Sequence, residues 1–184
     1  MTTALLLMDF QNGIAGRPGF EPTVEAAARA LAAARDHGIP PVFVRVAFRP
    51  GYPEVAASNL AFGGRAASAG DAMLVDNPAT QVVDALAPRG QEPVVVKKRV
   101  SAFAGSDLEV LLRGLGADEL VLAGIATSGV VLSTLRQAAD LDYRLTVLAD
   151  ACGDADPEVH RVLTEKVFPR QAAVTTVDEW AASL

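Results

Sequence analysis

Apolar residues in this chain fall into short solid runs, and the segments between them repeat at helical spacing. The runs are Ala4–Met8, Pro41–Val46, Pro93–Val96, Leu120–Ala123, Arg144–Leu148 and Ala173–Thr176. A short run with no polar alternation suits a strand buried on both faces. Between the first two, Val24, Ala27, Ala28, Leu31 and Ala34 mark a helix that opens at Thr23 and stops at Gly38. Further helices are predicted at Gln81–Leu86, after a capping box of Ser106 and Glu109 to Leu112, over Ser128–Leu141, and from Asp156-Pro157 to about Val167. Strands and helices alternate throughout, which predicts a parallel sheet with helices on both faces, a three-layer α/β sandwich of Rossmann-like type, in one domain over residues 1–184.

The pattern is densest at Leu120–Leu135. An apolar strand reaches Gly124, Thr127 or Ser128 can cap the next helix, and that helix has only a narrow polar stripe. Strand, sharp turn and buried helix aim the turn at a cleft above the carboxyl ends of the sheet, where open α/β folds bind ligands. Phe48–Thr80 is the opposite case, punctuated by proline and glycine. A loop that long is expected to be a binding loop or a surface excursion with aromatic anchors, with Phe48, Tyr52, Phe62 and Arg65 as its candidate ligand contacts.

Composition narrows the picture. The chain has 184 residues, 51% of them hydrophobic, and a mean hydropathy of +0.27, yet no apolar run approaches the roughly 20 residues a bilayer span needs. Met1–Met8 is too short and lacks the basic start of a signal peptide. The excess hydrocarbon is read as core plus subunit contact, so a homo-oligomer (dimer or tetramer) is expected. One cysteine, Cys152, excludes an intrachain disulfide and makes the cytoplasm the default compartment. A net charge of −6 leaves no basic footprint for nucleic acid. Phosphate-cradling glycine motifs are missing, and the two histidines, His37 and His160, sit on separate helices. Neither a metal nor a cofactor is expected; the expected partner is a small-molecule substrate or ligand, with no membrane contact.

Two charges stand out. Asp9 ends the first apolar run and Lys97 ends the third. An ionised group at the end of a buried strand is costly unless paired, and each can satisfy the other across the sheet edge. Alternation should send Lys98 away from the cleft.

The segments MDFQN (Met8–Asn12), KKRVSAF (Lys97–Phe103), GIATSGVVLSTLRQAADLDY (Gly124–Tyr143) and LADAC (Leu148–Cys152) resemble the isochorismatase-like hydrolases, the superfamily that includes cysteine hydrolases such as nicotinamidase. The likeness runs from about Leu5 to His160 in the family's order. It implies a six-stranded parallel sheet, a non-proline cis peptide at Ile125-Ala126, and an active site of Asp, Lys and usually Cys. Asp9 and Lys97 match the first two, and Phe10, Gln11, Phe48, Phe103, Ile125, Ala126 and Gly129 are the substrate contacts expected. The nucleophile's position holds Val130. An isopropyl group cannot attack a carbonyl, so the cysteine amidase mechanism is not expected. Cys152, two strands from Asp9 and so roughly 10 Å away, is read as a buried structural thiol; Ser128 and Ser133 are read as a helix cap and an intrahelical bond. The isochorismatase branch also lacks the cysteine and cleaves a vinyl ether by proton donation, but carries glycine at 130 and tyrosine at 100, where this chain has Val130 and Val100. Nicotinamidase-type members hold zinc with an Asp and two histidines after the second strand, which this chain does not have. The expectation is a family hydrolase working by non-covalent acid–base chemistry, or a member that has lost catalysis and serves as a ligand-binding or assembly protein.

Overall fold

Six parallel strands form one sheet in the order β3-β2-β1-β4-β5-β6 in the computed structural model, which describes residues 2–184. The strands are β1 (Thr3–Met8), β2 (Pro41–Val46), β3 (Val94–Lys97), β4 (Glu119–Ile125), β5 (Arg144–Gly153) and β6 (Ala173–Thr175). The helices are α1 (Asn12–Ala15), α2 (Glu21–Asp36), α3 (Gly63–Ser68), α4 (Leu108–Gly114), α5 (Leu132–Asp140), α6 (Pro157–Val162) and α7 (Val177–Ala182).

The solid apolar runs have a simple cause. Along β1, Ala4, Leu6 and Met8 face one core with Val44, Leu122, Val131 and Leu135. Leu5 and Leu7 face the other, with Leu31 of α2, Phe43, Val121 and Trp180 of α7. Both faces are covered, so no position on the strand is free to be polar. Below Asp9, β1 hydrogen-bonds β2 on one side and β4 on the other, with Met8 opposite both Val44 and Gly124.

Element boundaries differ from expectation where tertiary partners take the capping groups. Helix α2 opens at Glu21 with Pro22 in its first turn, and Thr23 lies buried inside it. The box of Ser106 and Glu109 does not form: the Ser106 hydroxyl donates to the Ala102 carbonyl and Glu109 pairs with Arg113 along α4. Asp156 does cap α6, accepting from Glu158 and Val159. β5 runs beyond Asp150 to Gly153 after a register shift between Leu122 and Gly124 of its neighbour. Gln81–Leu86 is one short turn, Asp84–Leu86, beside an isolated bridge between Gln11 and Val82.

Candidate active site

The carboxyl ends of β1, β3 and β4 open on one cleft of about 380 Å³. Asp9 stands where β1 stops, in left-handed backbone at φ +59°, a conformation aspartate tolerates better than most residues but still at a cost. Lys97 comes from the end of β3, two strands away, where it lies opposite Val46 of β2. Its long stem crosses the end of β2 and puts Nζ 2.9 Å from Asp9 Oδ2, while Nζ also donates to the Arg99 carbonyl at 3.0 Å. Both side chains are buried, at 2% and 8% exposed. The second Asp9 oxygen, Oδ1, is buried without a protein partner. Burial pushes the Asp9 carboxyl above its usual range, against the Lys97 ammonium and the Val46 backbone, which pull it down.

The facing wall is the turn after β4. Ile125, Ala126, Ser128, Gly129 and Val130 all line the cleft, and the Ile125-Ala126 peptide is cis. Neither Thr127 nor Ser128 caps the helix in the expected way, because each is held by another element. The Thr127 hydroxyl bonds His160 Nδ1 at 2.8 Å, and the Ser128 amide donates to Asp154 at 2.8 Å. Partial burial opposes the charge on Asp154, but bonds from Ser128 and the backbone of Asp156 and Ala155 outweigh it and hold that carboxyl below its ordinary value. On the other side, the Ala102 amide donates to the Thr134 hydroxyl at 2.9 Å, clamping the segment after Lys97 to α5. Val130 is 2% exposed: part of it lines the cleft and the rest packs in the core with Val131 and Phe103.

Four expected substrate contacts do not line this cleft, each for a packing reason, although Gln11 lines an adjoining hollow. Phe10 points into the core on the α2 side of the sheet. Gln11 is spent on backbone, donating to the Val46 carbonyl and accepting from the Val46 amide, and so pins the chain after Asp9 to β2. Phe48 is fully buried between Tyr52 and Phe62, and Phe103 packs against Tyr143 in the core. Phe62 and Arg65, from the long loop, do reach the cleft; Tyr52 instead donates to the Gly70 carbonyl. Ile14, Arg17, Phe20 and Ala155 line the cleft without having been expected. The clue to the first three was their place in the glycine-rich loop that leaves Asp9. Lys98 turns away, with its ammonium on the Ala47 carbonyl and over the Phe48 ring.

Cys152 sits opposite Gly124 on β5, buried in the core, with its sulfur 3.9 Å from the Leu122 carbonyl. Burial pushes its thiol up to about 12, so it offers no thiolate to the cleft. Among the described residues no three His, Cys, Asp or Glu side chains converge as a metal site would require, and no helix is long and apolar enough to cross a membrane. A larger hollow of 660 Å³ lies beside the amino ends of β4 and β5, around Asp118, Tyr143 and Arg144. It is wide open and lacks any buried ionisable group, whereas the smaller cleft is lined by the buried Asp9–Lys97 pair.

Comparison with known proteins agrees with this architecture. The chain is 34% identical over 182 residues to an uncharacterized isochorismatase family protein, YecD of Escherichia coli O157:H7, covering 97% of this chain and 94% of that one. It is 32% identical over 206 residues to the ureidoacrylate amidohydrolase RutB of Stutzerimonas stutzeri, covering 99% and 79%. The structure of an isochorismatase family protein from Burkholderia thailandensis superposes with a TM-score of 0.87 at 28% identity, covering 100% of this chain and 95% of that one. The isochorismatase domain family matches residues 3–179, and the chain belongs to that family of hydrolases.

Proposed function

We propose that this chain is a single-domain small-molecule hydrolase that works without a covalent intermediate, with Asp9 as general acid and base and Lys97 as its electrostatic partner. The observation that carries the reading is the state of the Asp9 carboxyl: one oxygen is fixed by Lys97, the other is buried and unpartnered, and the residue shares its cleft with the hydrocarbon of Val130. Burial raises the Asp9 pKa against the pull of Lys97, which favours the protonated acid that would pass its proton to a substrate. On a vinyl ether, Asp9 gives its proton to the terminal alkene carbon. Water then adds to the oxocarbenium carbon and returns a proton to the Asp9 carboxylate, and collapse of the hemiketal yields a ketone and an alcohol. No step needs a nucleophilic side chain. Position 130 is where the family resemblance puts the attacking sulfur, so the acyl-enzyme route of an amidohydrolase is not assigned to this chain, whatever the relatives do. The experiment is turnover on a panel of vinyl ethers and esters: Asp9→Asn is expected to abolish it, and full activity in that variant refutes the mechanism.

A second reading is favoured by Val130 itself. Hydrocarbon at the nucleophile's position fits a chain that has kept the cleft for binding or assembly and lost turnover. Val130→Cys separates the two. Rapid labelling by iodoacetamide at neutral pH, with Cys152 unlabelled as internal control, means the cleft is still organised to activate a thiol; a sluggish introduced thiol and no turnover on the panel support the binding role. A lone cysteine supports a reducing compartment such as the cytoplasm. The high hydrophobic fraction of the chain, 51%, supports a homo-oligomer, dimer or tetramer.

A further inference from the structure

Residues 49–73, most of the long loop after β2, fold back on themselves. At the neck, the Phe48 amide donates to the Met73 carbonyl and the Val75 amide to the Phe48 carbonyl, each at 2.9 Å. Inside, the Tyr52 hydroxyl donates to the Gly70 carbonyl at 2.6 Å, the Asn59 side chain accepts from the Ala61 and Phe62 amides, and Arg49 pairs with Glu54. A loop closed at its base and packed by its own side chains can move as one body. Gly51 and Gly70 stand just inside the neck in left-handed backbone, with open space around each, which is where such a body can hinge. The far part of the loop supplies Ala61, Phe62 and Arg65 to the wall of the Asp9 cleft.

Beyond the neck, this stretch makes a single hydrogen bond with the rest of the described residues and no ion pair: Arg99 Nη2 donates to the Glu54 carbonyl at 2.9 Å. Phe62, edge-on to the Phe48 ring, adds an apolar anchor. The same guanidinium donates from Nη1 to the Lys98 carbonyl at 2.7 Å, so a rigid planar fork bridges the loop and the turn after β3. That turn also holds the ammonium at the cleft. Lys97 Nζ donates to the Arg99 carbonyl at 3.0 Å and lies 2.9 Å from Asp9 Oδ2. Bonds therefore run in series from the loop, through Arg99, to Asp9, although Arg99 itself does not line the cleft. Segments held to a fold by few bonds open at the lowest free energy.

We infer, on the reading that Asp9 and Lys97 are the reacting pair, that Arg99 is a positioning residue: its guanidinium fastens the long loop over the cleft while its carbonyl holds the Lys97 ammonium on Asp9, so that the closed loop and the assembled pair are made and lost together. One side chain then couples the entry of small molecules to the state of the charges they meet.

The chain has three lysines, Lys97, Lys98 and Lys166, so acetylation of each can be timed separately. The full chain is treated with the acetyl ester of N-hydroxysuccinimide and mapped by mass spectrometry, beside hydrogen exchange over residues 49–73. Arg99→Met keeps the stem and removes the fork. With that charge-assisted bond gone, loop exchange and Lys97 acetylation should speed up together, each about tenfold, while exposed Lys166 is unchanged. Arg99→Lys, which keeps one cationic donor for the Glu54 carbonyl, should recover most of both. Tyr52→Phe loosens the loop from its far side with Arg99 in place, and should also speed Lys97 several-fold. Faster loop exchange with Lys97 unmoved, in either variant, overturns the coupling. So does unchanged loop exchange in Arg99→Met, or no recovery in Arg99→Lys. Iodoacetamide at buried Cys152 reports global opening; if Cys152 labels along with Lys97, the effect is unfolding and counts against the role. If the coupling fails while Asp9→Asn abolishes turnover, only the role of Arg99 falls. If Asp9→Asn turns over normally while the loop and Lys97 still move together, only the reacting-pair reading falls.

Discussion

Replacing Lys97 by methionine keeps most of the buried stem and removes the charge. Asp9 then loses its only side-chain partner, since Oδ1 already lacks one and Oδ2 is paired with Nζ. Because the two side chains are only 2% and 8% exposed, solvent cannot take over the pairing. Removing one partner of a buried pair costs about 3–5 kcal/mol, and the Arg99 carbonyl also loses its donor, worth about 1 kcal/mol more. For a chain of this length, 3–5 kcal/mol corresponds to a melting temperature lower by about 6–20 °C.

The pH dependence has a definite sign. Burial already raises Asp9 in the folded protein above its ordinary value of 3.8, and the two contributions of Lys97 that hold it down disappear in the variant. Between the unfolded and folded pKa the native state then carries the extra proton, so stability is highest below the unfolded value and falls as pH rises through the folded one. The deficit of Lys97→Met against wild type is therefore largest near pH 8 and shrinks toward pH 5. Urea denaturation at both pH values reads it directly, and the double variant Asp9→Asn/Lys97→Met, which buries no charge, should recover most of the loss. A deficit below about 1 kcal/mol near pH 8, where a buried pair should cost several times that, would refute the reasoning. So would a deficit that grows toward acid pH.

Three further outcomes follow from the packing around the turn and from the composition. A Cβ at Gly124 would meet the Met8 carbonyl oxygen at 2.8 Å and Val131 at 3.3 Å, so Gly124→Ala should cost about 1–3 kcal/mol in urea denaturation by forcing β1 and β4 apart. Thr134→Val strands the buried Ala102 amide, which should cost about 1–3 kcal/mol; by loosening the segment after Lys97 it should also speed hydrogen exchange there. Light scattering should report a dimer or tetramer, and a monomer would refute the oligomer expected from the high hydrophobic content.

The sheet was legible because burial on both faces leaves a plain mark, a solid apolar run, and each of the six runs is a strand. Helix starts were less legible, since Thr127 and Ser128 are held by other parts of the fold, and Ser106, whose oxygen does accept from the Leu108 amide, stands one residue before the cap position of α4. Asp9 and Lys97 were readable for the same reason as the strands: a charge directly after hydrocarbon must find a partner. Phe10, expected as a substrate contact on the family resemblance alone, packs in the core on the α2 side, just after the left-handed backbone of Asp9 ends the alternation of β1. In the long loop the sequence named four ligand contacts, but their sorting was tertiary. Phe48 is locked by its bridge to Leu74 and by Phe62, which leaves Phe62 and Arg65 to the cleft.

One residue concentrates the costs of this fold. Asp9 combines left-handed backbone, burial and an oxygen with no partner, and strain of that kind runs to about 1–3 kcal/mol for the backbone alone. A buried ion pair adds no stability that hydrocarbon of similar volume could not match, and the core beside it on both faces is hydrocarbon. Stability therefore does not explain why a carboxylate and an ammonium occupy this edge of the sheet. Groups held at such cost and facing a cleft are where function concentrates, which is the ground on which we propose a catalytic role for Asp9 and Lys97 even with valine at position 130. A structural origin for the pair would require that Asp9→Asn/Lys97→Met lose stability rather than regain it.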